Sequence, residues 1–218
     1  LLIGFIAFLI SATTAVTVPA SAAATPVPDS MASLGDSITR GFNACGWYLE
    51  CTSRSWSTGS YGPVNSHYLR IVATNPAMSG HAHNDAKSGA RVSDLNRQAL
   101  LAVSQNVEYV TILIGANDAC TSSESTMTTV ATFESRFRTA MTTLDSGLPR
   151  ARIFLASIPD IKRLWFIGKD SFAARTAWYL GSICQSMLAN PQSTASADVA
   201  RRDRVQQRVV DFNAVLAR

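Results

Sequence analysis

Short apolar segments alternate with longer amphipathic segments along most of the chain. Strands are predicted at three short apolar runs, residues 31–34, 107–114 and 152–158. The second run is rich in β-branched residues, as expected for a parallel strand that is buried on both faces. Helices are predicted where apolar residues recur every three or four positions, at residues 64–73, 92–103, 122–144 and 199–216. This alternation predicts an α/β sandwich with a mainly parallel sheet.

Two of the predicted helices carry a clear apolar face. On the helix at 92–103 this face consists of Leu95, Ala99, Leu100 and Val103. On the helix at 122–144 it consists of Phe133, Phe137, Met141 and Leu144. We expect both faces to be buried. Residues 165–188 form a mixed aromatic and helical region.

The first 24 residues predict a secretory signal peptide, and hence an extracellular protein. Residues 1–10 are almost wholly apolar, and an Ala-x-Ala cleavage site ends at Ala22 or Ala24. A membrane anchor is the alternative, but the run is short for a bilayer and polar residues interrupt its continuation. Because neither an initiator Met nor a basic segment precedes Leu1, we expect the N-terminus to be incomplete. A tether at 25–30 and one domain at 31–218 complete the predicted organisation.

Length and charge favour a single globular domain that does not bind nucleic acid. A chain of 218 residues suits one domain with a sizeable core. Charged residues make up 16% of the chain, and the net charge of +4 is weak for this length. A late group of basic residues is interpreted as a solvated helix face: Arg201, Arg202, Arg204 and Arg208. No nucleic-acid partner is expected, because no basic and aromatic patch or recognition motif accompanies this charge.

Four cysteines in an exported protein favour disulfides. Cys45 and Cys51 flank a short loop and are able to close on each other, which would leave Cys120 to pair with Cys184. The sequence alone allows three connectivities. A metal site is the alternative, but no Cys-x-x-Cys is present and the histidines lie elsewhere, so we expect no metal.

Residues 33–41 follow the first predicted strand directly. Gly35 allows a sharp backbone turn, which brings Asp36 and Ser37 to a strand-to-helix junction. Free N–H groups at such a junction favour developing negative charge. A serine there is able to act as a nucleophile, and its own N–H is able to bind an oxyanion. The alternative is that Asp36, Ser37 or Thr39 caps a helix, since Gly-Asp-Ser is common in turns.

Two later stretches of the sequence carry motifs that belong with this turn. Residues 112–118 are an apolar run that ends in Gly-Ala-Asn-Asp, and Gly89 lies in a loop between the two motifs. Together, Gly-Asp-Ser-Ile, the loop glycine and Gly-x-Asn-Asp resemble the SGNH/GDSL hydrolase family, and the surrounding sequence is similar to secreted actinobacterial esterases and lipases of that family. The resemblance extends from about Met31 to the C-terminus. It implies a three-layer α/β/α sandwich of flavodoxin-like type, with a short strand before the Gly89 loop.

The resemblance implies acyl-ester hydrolysis with Ser37 as the nucleophile. The N–H groups of Ser37 and Gly89 and the side-chain amide of Asn117 would hold the oxyanion. An amide suits this role because it donates a hydrogen bond without carrying a charge. Gly80 is a nearby competitor for the role of Gly89, and Asn117 is alternatively a turn residue after the strand.

The three residues all follow predicted strands. The carboxyl ends of parallel strands meet at one edge of a sheet, so we expect Ser37, Gly89 and Asn117 to converge there. Asp36 and Asp118 are interpreted as supports that brace their turns rather than as proton-transfer groups.

The nucleophile needs a base, and here the chain departs from the family pattern. The family's C-terminal Asp-x-x-His has no counterpart, because no Asp lies three positions before His67, His81 or His83. None of these histidines is preferred as the base. Since the chain stops within a predicted helix, we expect the domain to be truncated at its C-terminus, with the missing block further along.

Other classes of hydrolase fit the sequence around Ser37 less well. A trypsin-like protease would carry Gly-Asp-Ser-Gly-Gly with a histidine upstream of Ser37, and the Gly-x-Ser-x-Gly elbow of α/β-hydrolases is also absent.

The predicted function is a secreted serine ester hydrolase, monomeric, without a cofactor and without stable membrane insertion. A non-catalytic secreted binding module is the alternative, supported by the missing histidine. The substrate stays open among lipid, short-chain and acylated carbohydrate esters. Four aromatic residues either line its pocket or pack the disulfide loop: Trp47, Tyr48, Trp56 and Tyr61.

Overall fold

Four parallel strands form the central sheet, in the spatial order β2-β1-β3-β4. The structure is a computed structural model that describes residues 26–218, and the predicted signal peptide at 1–24 lies outside the described residues. The strands are β1 (Met31–Gly35), β2 (Ala82–Asn84), β3 (Tyr109–Leu113) and β4 (Arg152–Leu155). Within the described residues the α-helices are α1 (His67–Thr74), α2 (Val92–Gln105), α3 (Ala116–Ala119), α4 (Val130–Gly147), α5 (Ile161–Gly168), α6 (Phe172–Leu180), α7 (Gln185–Leu188) and α8 (Ser196–Leu216).

The parallel α/β sandwich predicted from the sequence is confirmed, and so is the short strand before the Gly89 loop. β1 pairs with β2 on one side and with β3 on the other, with Gly35 opposite Leu113. The strand that leads to Ser37 therefore lies in the interior of the sheet, where neighbours on both sides fix its backbone.

One face of the sheet carries the main hydrophobic core. Ala32, Leu34, Val110 and Ile112 alternate along β1 and β3 and are fully buried on this face. α2 packs against β1 and α4, and α4 packs against α8. Between these last two helices the Phe133 and Phe212 rings stack with their centroids 4.1 Å apart. Full burial of each such side chain stabilises the fold by about 1.5–3 kcal/mol, so this face supplies most of the apolar stabilisation.

The opposite face is polar at its centre. Ser33 and Thr111, which also alternate along β1 and β3, are fully buried there beside residues 55–59. The hydroxyl oxygens of Ser57 and Thr111 lie 2.6 Å apart, and each buried hydroxyl thereby has a partner. α1 has no fully buried residue and begins at His67, because the Ser66 side chain caps it by accepting from the Leu69 N–H. Hydrogen bonds thus hold this layer more than apolar burial does.

Two helix predictions need correction. The helix predicted from Ser122 begins only at Val130, because the Thr129 side chain caps it there and residues 124–126 form a separate 3₁₀ turn. On α2, Leu100 is exposed rather than buried. Leu100 lies about 140° around the helix from Leu95, since each residue advances about 100°. The buried positions of α2 are Val92, Leu95, Gln98, Ala99 and Ala102.

The interpretation of the late arginines as a solvated face is wrong for Arg202. This guanidinium is buried, lies 4.5 Å from the Trp165 ring centroid and donates to the Ser193 carbonyl at 2.7 Å. α8 starts three residues earlier than predicted and packs on α4, α5 and α7. Among the helices of residues 26–218, none combines the length and the apolar character needed to cross a bilayer.

β4 is shorter than predicted and lies at the edge of the sheet. It ends at Leu155 rather than continuing to Ile158. Ile153 and Phe154 are both partly exposed, although they point to opposite faces.

Gly115→Ala is expected to destabilise the protein by about 3 kcal/mol or more. The backbone at Gly115 has φ +116°, and an added Cβ would lie 2.5 Å from Ile158 Cδ1 and 2.9 Å from the Phe133 ring. Two costs therefore combine, one from the left-handed backbone and one from overpacking. The measurement is the free energy of unfolding from urea denaturation.

The matched control is Gly80→Ala, which carries only the first of these costs. Gly80 also has a positive φ, +82°, but an added Cβ meets no atom within 4 Å. We expect a loss of about 1 kcal/mol there. Equal losses for the two variants would contradict the packing argument.

Candidate active site

The turn after β1 is held by the side chain of Gln98 on α2. Gln98 Oε1 accepts from the Gly35 N–H at 2.7 Å, and its Nε2 donates to the Gly35 carbonyl at 2.9 Å. Gly35 has φ +147°, and a side chain there would collide with the Leu113 carbonyl. The buried amide thus pairs both backbone groups of Gly35 where the regular strand ends, and it fixes the direction in which the chain leaves toward Ser37.

Asp36 braces this turn from inside the protein. Its side chain is fully buried, and Oδ1 accepts from the Ile38 N–H at 2.9 Å. Oδ2 is buried without a hydrogen-bond partner among the described residues. Ser37 itself is only partly buried and faces the cavity described below. The Asp36 carboxyl therefore contacts the backbone of its own turn and does not line the cavity.

A second buried carboxyl, Asp118, joins three segments of the chain. Its Oδ2 accepts from the Val92 N–H at the start of α2, at 2.9 Å. Its Oδ1 accepts from the Thr128 hydroxyl just before α4, at 2.7 Å. The neighbouring Asn117 donates from Nδ2 to the Ala90 carbonyl at 2.9 Å. The Gly89 loop is thereby fixed relative to α3.

These turns open into one cavity of about 670 Å³ at the carboxyl edge of the sheet. Ser37, Gly89 and Asn117 all line it, and Gly80 does not. Gly89 has φ +79° with no atom within 4 Å of an added Cβ, so its backbone is open to a ligand. In residues 26–218, the N–H groups of Ser37 and Gly89 donate to no other protein group. The cavity therefore presents free N–H donors beside a serine hydroxyl.

Apolar side chains form most of the opposite wall. Ile161 and Leu164 of α5 and Ala174, Ala177 and Trp178 of α6 line the cavity there. Tyr48 from the loop after β1 closes another side, and Trp47 is almost fully exposed. Trp56 instead packs edge-on against His67, and Tyr61 lies under the Arg54 guanidinium. Of the four aromatic residues singled out in the sequence, Tyr48 lines the pocket.

Two disulfides stabilise the walls of the cavity. Cys45 pairs with Cys51 in the loop that carries Tyr48, and Cys120 pairs with Cys184, as expected. Both Cys120 and Cys184 line the cavity. The second disulfide ties the end of α3, beside Asn117, to the segment that connects α6 with α7.

The three histidines lie away from this cavity. The His67 Nδ1 atom is 2.8 Å from the Tyr109 hydroxyl, near the amino end of β3, and burial lowers the pKa of this imidazole. His81 Nδ1 lies 2.8 Å from the Ala77 carbonyl, before β2, and His83 is within β2 opposite Ala32. No histidine of residues 26–218 lines the pocket with Ser37.

Burial also controls the protonation of the two carboxyls. Desolvation raises the pKa of Asp36 to about 6, although the Ile38 N–H opposes the shift; the nearby Asp118 charge adds to it. Desolvation likewise raises the pKa of Asp118, against the opposing hydrogen bonds from Thr128 and Val92. The site therefore has a carboxyl that changes its charge in the weakly acidic range directly beside Ser37.

Sequence reasoning missed two residues of this region. Gln98 carried a signal, since it is a polar residue within the apolar stripe of α2. Asp160 lines the cavity after β4, where it caps α5 by accepting from the Arg163 N–H. Its position after a fourth strand, at the same edge as Ser37, was the available signal.

No set of three or more His, Cys, Asp or Glu side chains within residues 26–218 is arranged to hold a metal ion.

Comparison with known proteins identifies the family to which this chain is similar. Residues 31–215 match the model of the GDSL-like lipase/acylhydrolase family. An extracellular lipase from Streptomyces rimosus is 18% identical over 86% of this chain and 74% of that chain, with a TM-score of 0.48. An acetyl xylan esterase is 14% identical over 84% of this chain and 74% of that chain, with a TM-score of 0.44. A psychrotrophic esterase from Pseudoalteromonas sp. is 14% identical over 84% of this chain and 98% of that chain, with a TM-score of 0.40. No curated protein sequence matches this chain.

Asp36→Asn is expected to stabilise the protein above about pH 6 and to change its stability little near pH 4. As the pH rises through this range, the unfolded chain loses the Asp36 proton first, because the folded pKa is raised from 3.8 to about 6. The unmodified protein thus loses folding free energy that the amide does not, about 3 kcal/mol in all. The measurement is the free energy of unfolding in urea near pH 4 and near pH 8.

The control for this variant is Asp145→Asn on the exposed surface of α4. It should retain the pH dependence of the unmodified chain. A pH-independent difference between Asp36→Asn and the unmodified chain would show that burial does not raise the Asp36 pKa.

Proposed function

The chain belongs to the GDSL-like lipase/acylhydrolase family, and on this premise we propose that it hydrolyses carboxylic esters with Ser37 as the nucleophile. The supporting observation is the convergence of Ser37, Gly89 and Asn117 on one cavity from the ends of three strands. We also propose that the protein acts outside the cell. Its two disulfides are compatible with an oxidising compartment.

In this proposal the Ser37 hydroxyl attacks the ester carbonyl and gives up its proton to a base. The tetrahedral oxyanion accepts from the N–H groups of Ser37 and Gly89 and from the Asn117 amide. One Asn117 N–H is already engaged by the Ala90 carbonyl, which fixes the amide and leaves its second N–H for the substrate. Collapse of the intermediate releases the alcohol and leaves an acyl-serine, which water then hydrolyses.

The base is the missing part of this arrangement. None of the three histidines lines the cavity, and a serine hydroxyl is a weak nucleophile without one. We propose that an Asp-x-x-His block of the family type, supplied by sequence after Arg218, provides it. Asp36 does not replace it, because its carboxyl is fully buried and is directed to the Ile38 N–H rather than to the cavity.

A second candidate function follows from the same observation. A pocket with free N–H donors and no base binds an ester or a related acyl compound without turning it over. In that case the protein is a secreted binding module that keeps the fold of the family.

The test is hydrolysis of a p-nitrophenyl ester by the 218-residue chain and by a version extended at its C-terminus. We expect turnover by the extended version and loss of nearly all of it in Ser37→Ala. Asn117→Ala should lower kcat about 10²–10³-fold, the usual effect of losing one oxyanion donor.

Ser146→Ala is the matched control, since this serine is exposed near the end of α4. It should keep full activity. Turnover by the 218-residue chain that depends on Ser37 would contradict the proposed downstream base and would make His67, His81 and His83 the next targets. An extended, folded protein that binds esters but hydrolyses none would favour the binding module.

A further inference from the structure

Large apolar side chains are exposed around the mouth of the candidate pocket. Four residues both line the cavity and remain open to solvent: Ile38, Phe42, Tyr48 and Leu164. The loop after β1 and the helices α5 and α6, which line the cavity, expose further large apolar side chains: Trp47, Leu49, Phe166, Ile167, Tyr179 and Leu180. We call these residues the apolar rim. Many large apolar side chains exposed beside one pocket favour an interaction site over ordinary surface composition.

The tip of the loop after β1 holds its aromatic side chains outward. Trp47 is 87% exposed, and Trp47 and Tyr48 both have left-handed backbones, with φ of 69° and 52°. This conformation is unfavourable for bulky residues and persists only where the surroundings impose it. Here Asn43 bonds to both sides of the tip, to the Tyr48 N–H and to the Leu49 carbonyl, and a disulfide closes the loop. The loop therefore presents Trp47 to a partner instead of burying it.

Lysine and arginine side chains lie near the apolar rim. Lys87 and Arg91 are exposed two positions before and after Gly89, which lines the cavity. On α5 the Arg163 guanidinium lies 5.2 Å from the exposed Phe166 ring. Of the nearby acidic side chains, Glu50 pairs with Arg40 and Asp170 pairs with Lys169. Asp160 lines the cavity and is exposed, with its carboxylate on the Arg163 N–H. Because Lys87, Arg91 and Arg163 outnumber Asp160, the balance of charge beside the apolar rim is positive.

We propose that the apolar rim docks this protein on an anionic lipid surface, from which the pocket takes its ester. Exposed Trp and Tyr beside Lys and Arg are the side chains that favour the boundary between acyl chains and charged headgroups. A second copy of the chain fits this surface less well, because pairing two rims would bring like charges together. The uptake of an ester rests on the proposed function, whereas the docking itself does not.

The experiment is co-sedimentation of the 218-residue chain with vesicles of phosphatidylcholine containing about 30% phosphatidylglycerol. Ser37→Ala is used as the background, so that no product changes the vesicles. We expect binding that weakens with added salt and is at least about tenfold weaker on pure phosphatidylcholine.

Two double variants each remove apolar side chains of the rim, one on the loop after β1 and the other on α5. The first is Trp47→Ser with Leu49→Ser, and the second is Phe166→Ser with Ile167→Ser. Each pair should lower the partition coefficient about tenfold or more, since both remove large apolar side chains from the bound surface. The matched control is Leu100→Ser with Leu101→Ser, two exposed apolar residues on α2 that do not line the cavity. It should change binding less than about twofold.

A melting curve for each variant establishes that it is folded, and either rim pair suffices for the test. The proposal is overturned if the chain does not bind the anionic vesicles, if neutral vesicles bind it equally well, or if the control pair loses as much binding as the rim pairs. A dimer that both rim pairs dissociate would assign the surface to a second copy and would also overturn it. Vesicle binding without Ser37-dependent turnover in the extended protein supports docking and counts against the proposed hydrolysis. Turnover of a soluble ester without vesicle binding does the reverse.

Discussion

The geometry of the candidate site depends on the buried Asp118 carboxyl. A buried carboxyl is costly unless it is hydrogen-bonded, and Asp118 meets that requirement with one donor at the start of α2 and another just before α4. Three segments that are distant in sequence must therefore keep fixed positions around it. The Gly89 loop leads into the first segment, and Asn117 is the chain neighbour of Asp118. The separation of the donors that line the cavity follows from the need to satisfy this one buried group.

The position of Ser37 depends on a different interaction, between Gln98 and the end of β1. Parallel strands bring their carboxyl ends to one edge, but the sheet hydrogen bonds stop where β1 ends. At the last residue of β1, Gly35, the Gln98 amide adds one acceptor and one donor to the pairing with β3. Ser37 thus follows a backbone that is held both by β3 and by Gln98.

The sequence was sufficient to predict the parallel sheet, because hydrophobic periodicity and the alternation of strands and helices determine it. The disulfide pairs stayed open among three connectivities, since the contacts that select one of them are distant in sequence. The sequence did not predict the start of α4, which depends on whether Thr129 rather than an earlier hydroxyl residue caps the helix. The burial of Arg202 depends on Trp165, a residue distant in sequence, and no local pattern records that contact. Gln98 appeared only as a polar interruption, since its partner is the backbone of Gly35, which has no side chain to mark the pairing.

The disulfide between Cys120 and Cys184 makes the shape of the pocket depend on where the chain is produced. It closes a loop of 64 residues, and such a closure is worth about 4 kcal/mol by chain entropy. The hydrophobic core includes Trp178 of α6 and Cys184 itself, so this disulfide joins the wall of the cavity to the core. Recombinant synthesis in a reducing cytoplasm would therefore remove a link between α3 and the segment that joins α6 to α7, and would weaken the packing of Trp178. Preparations from reducing and oxidising hosts would then differ both in stability and in the shape of the pocket.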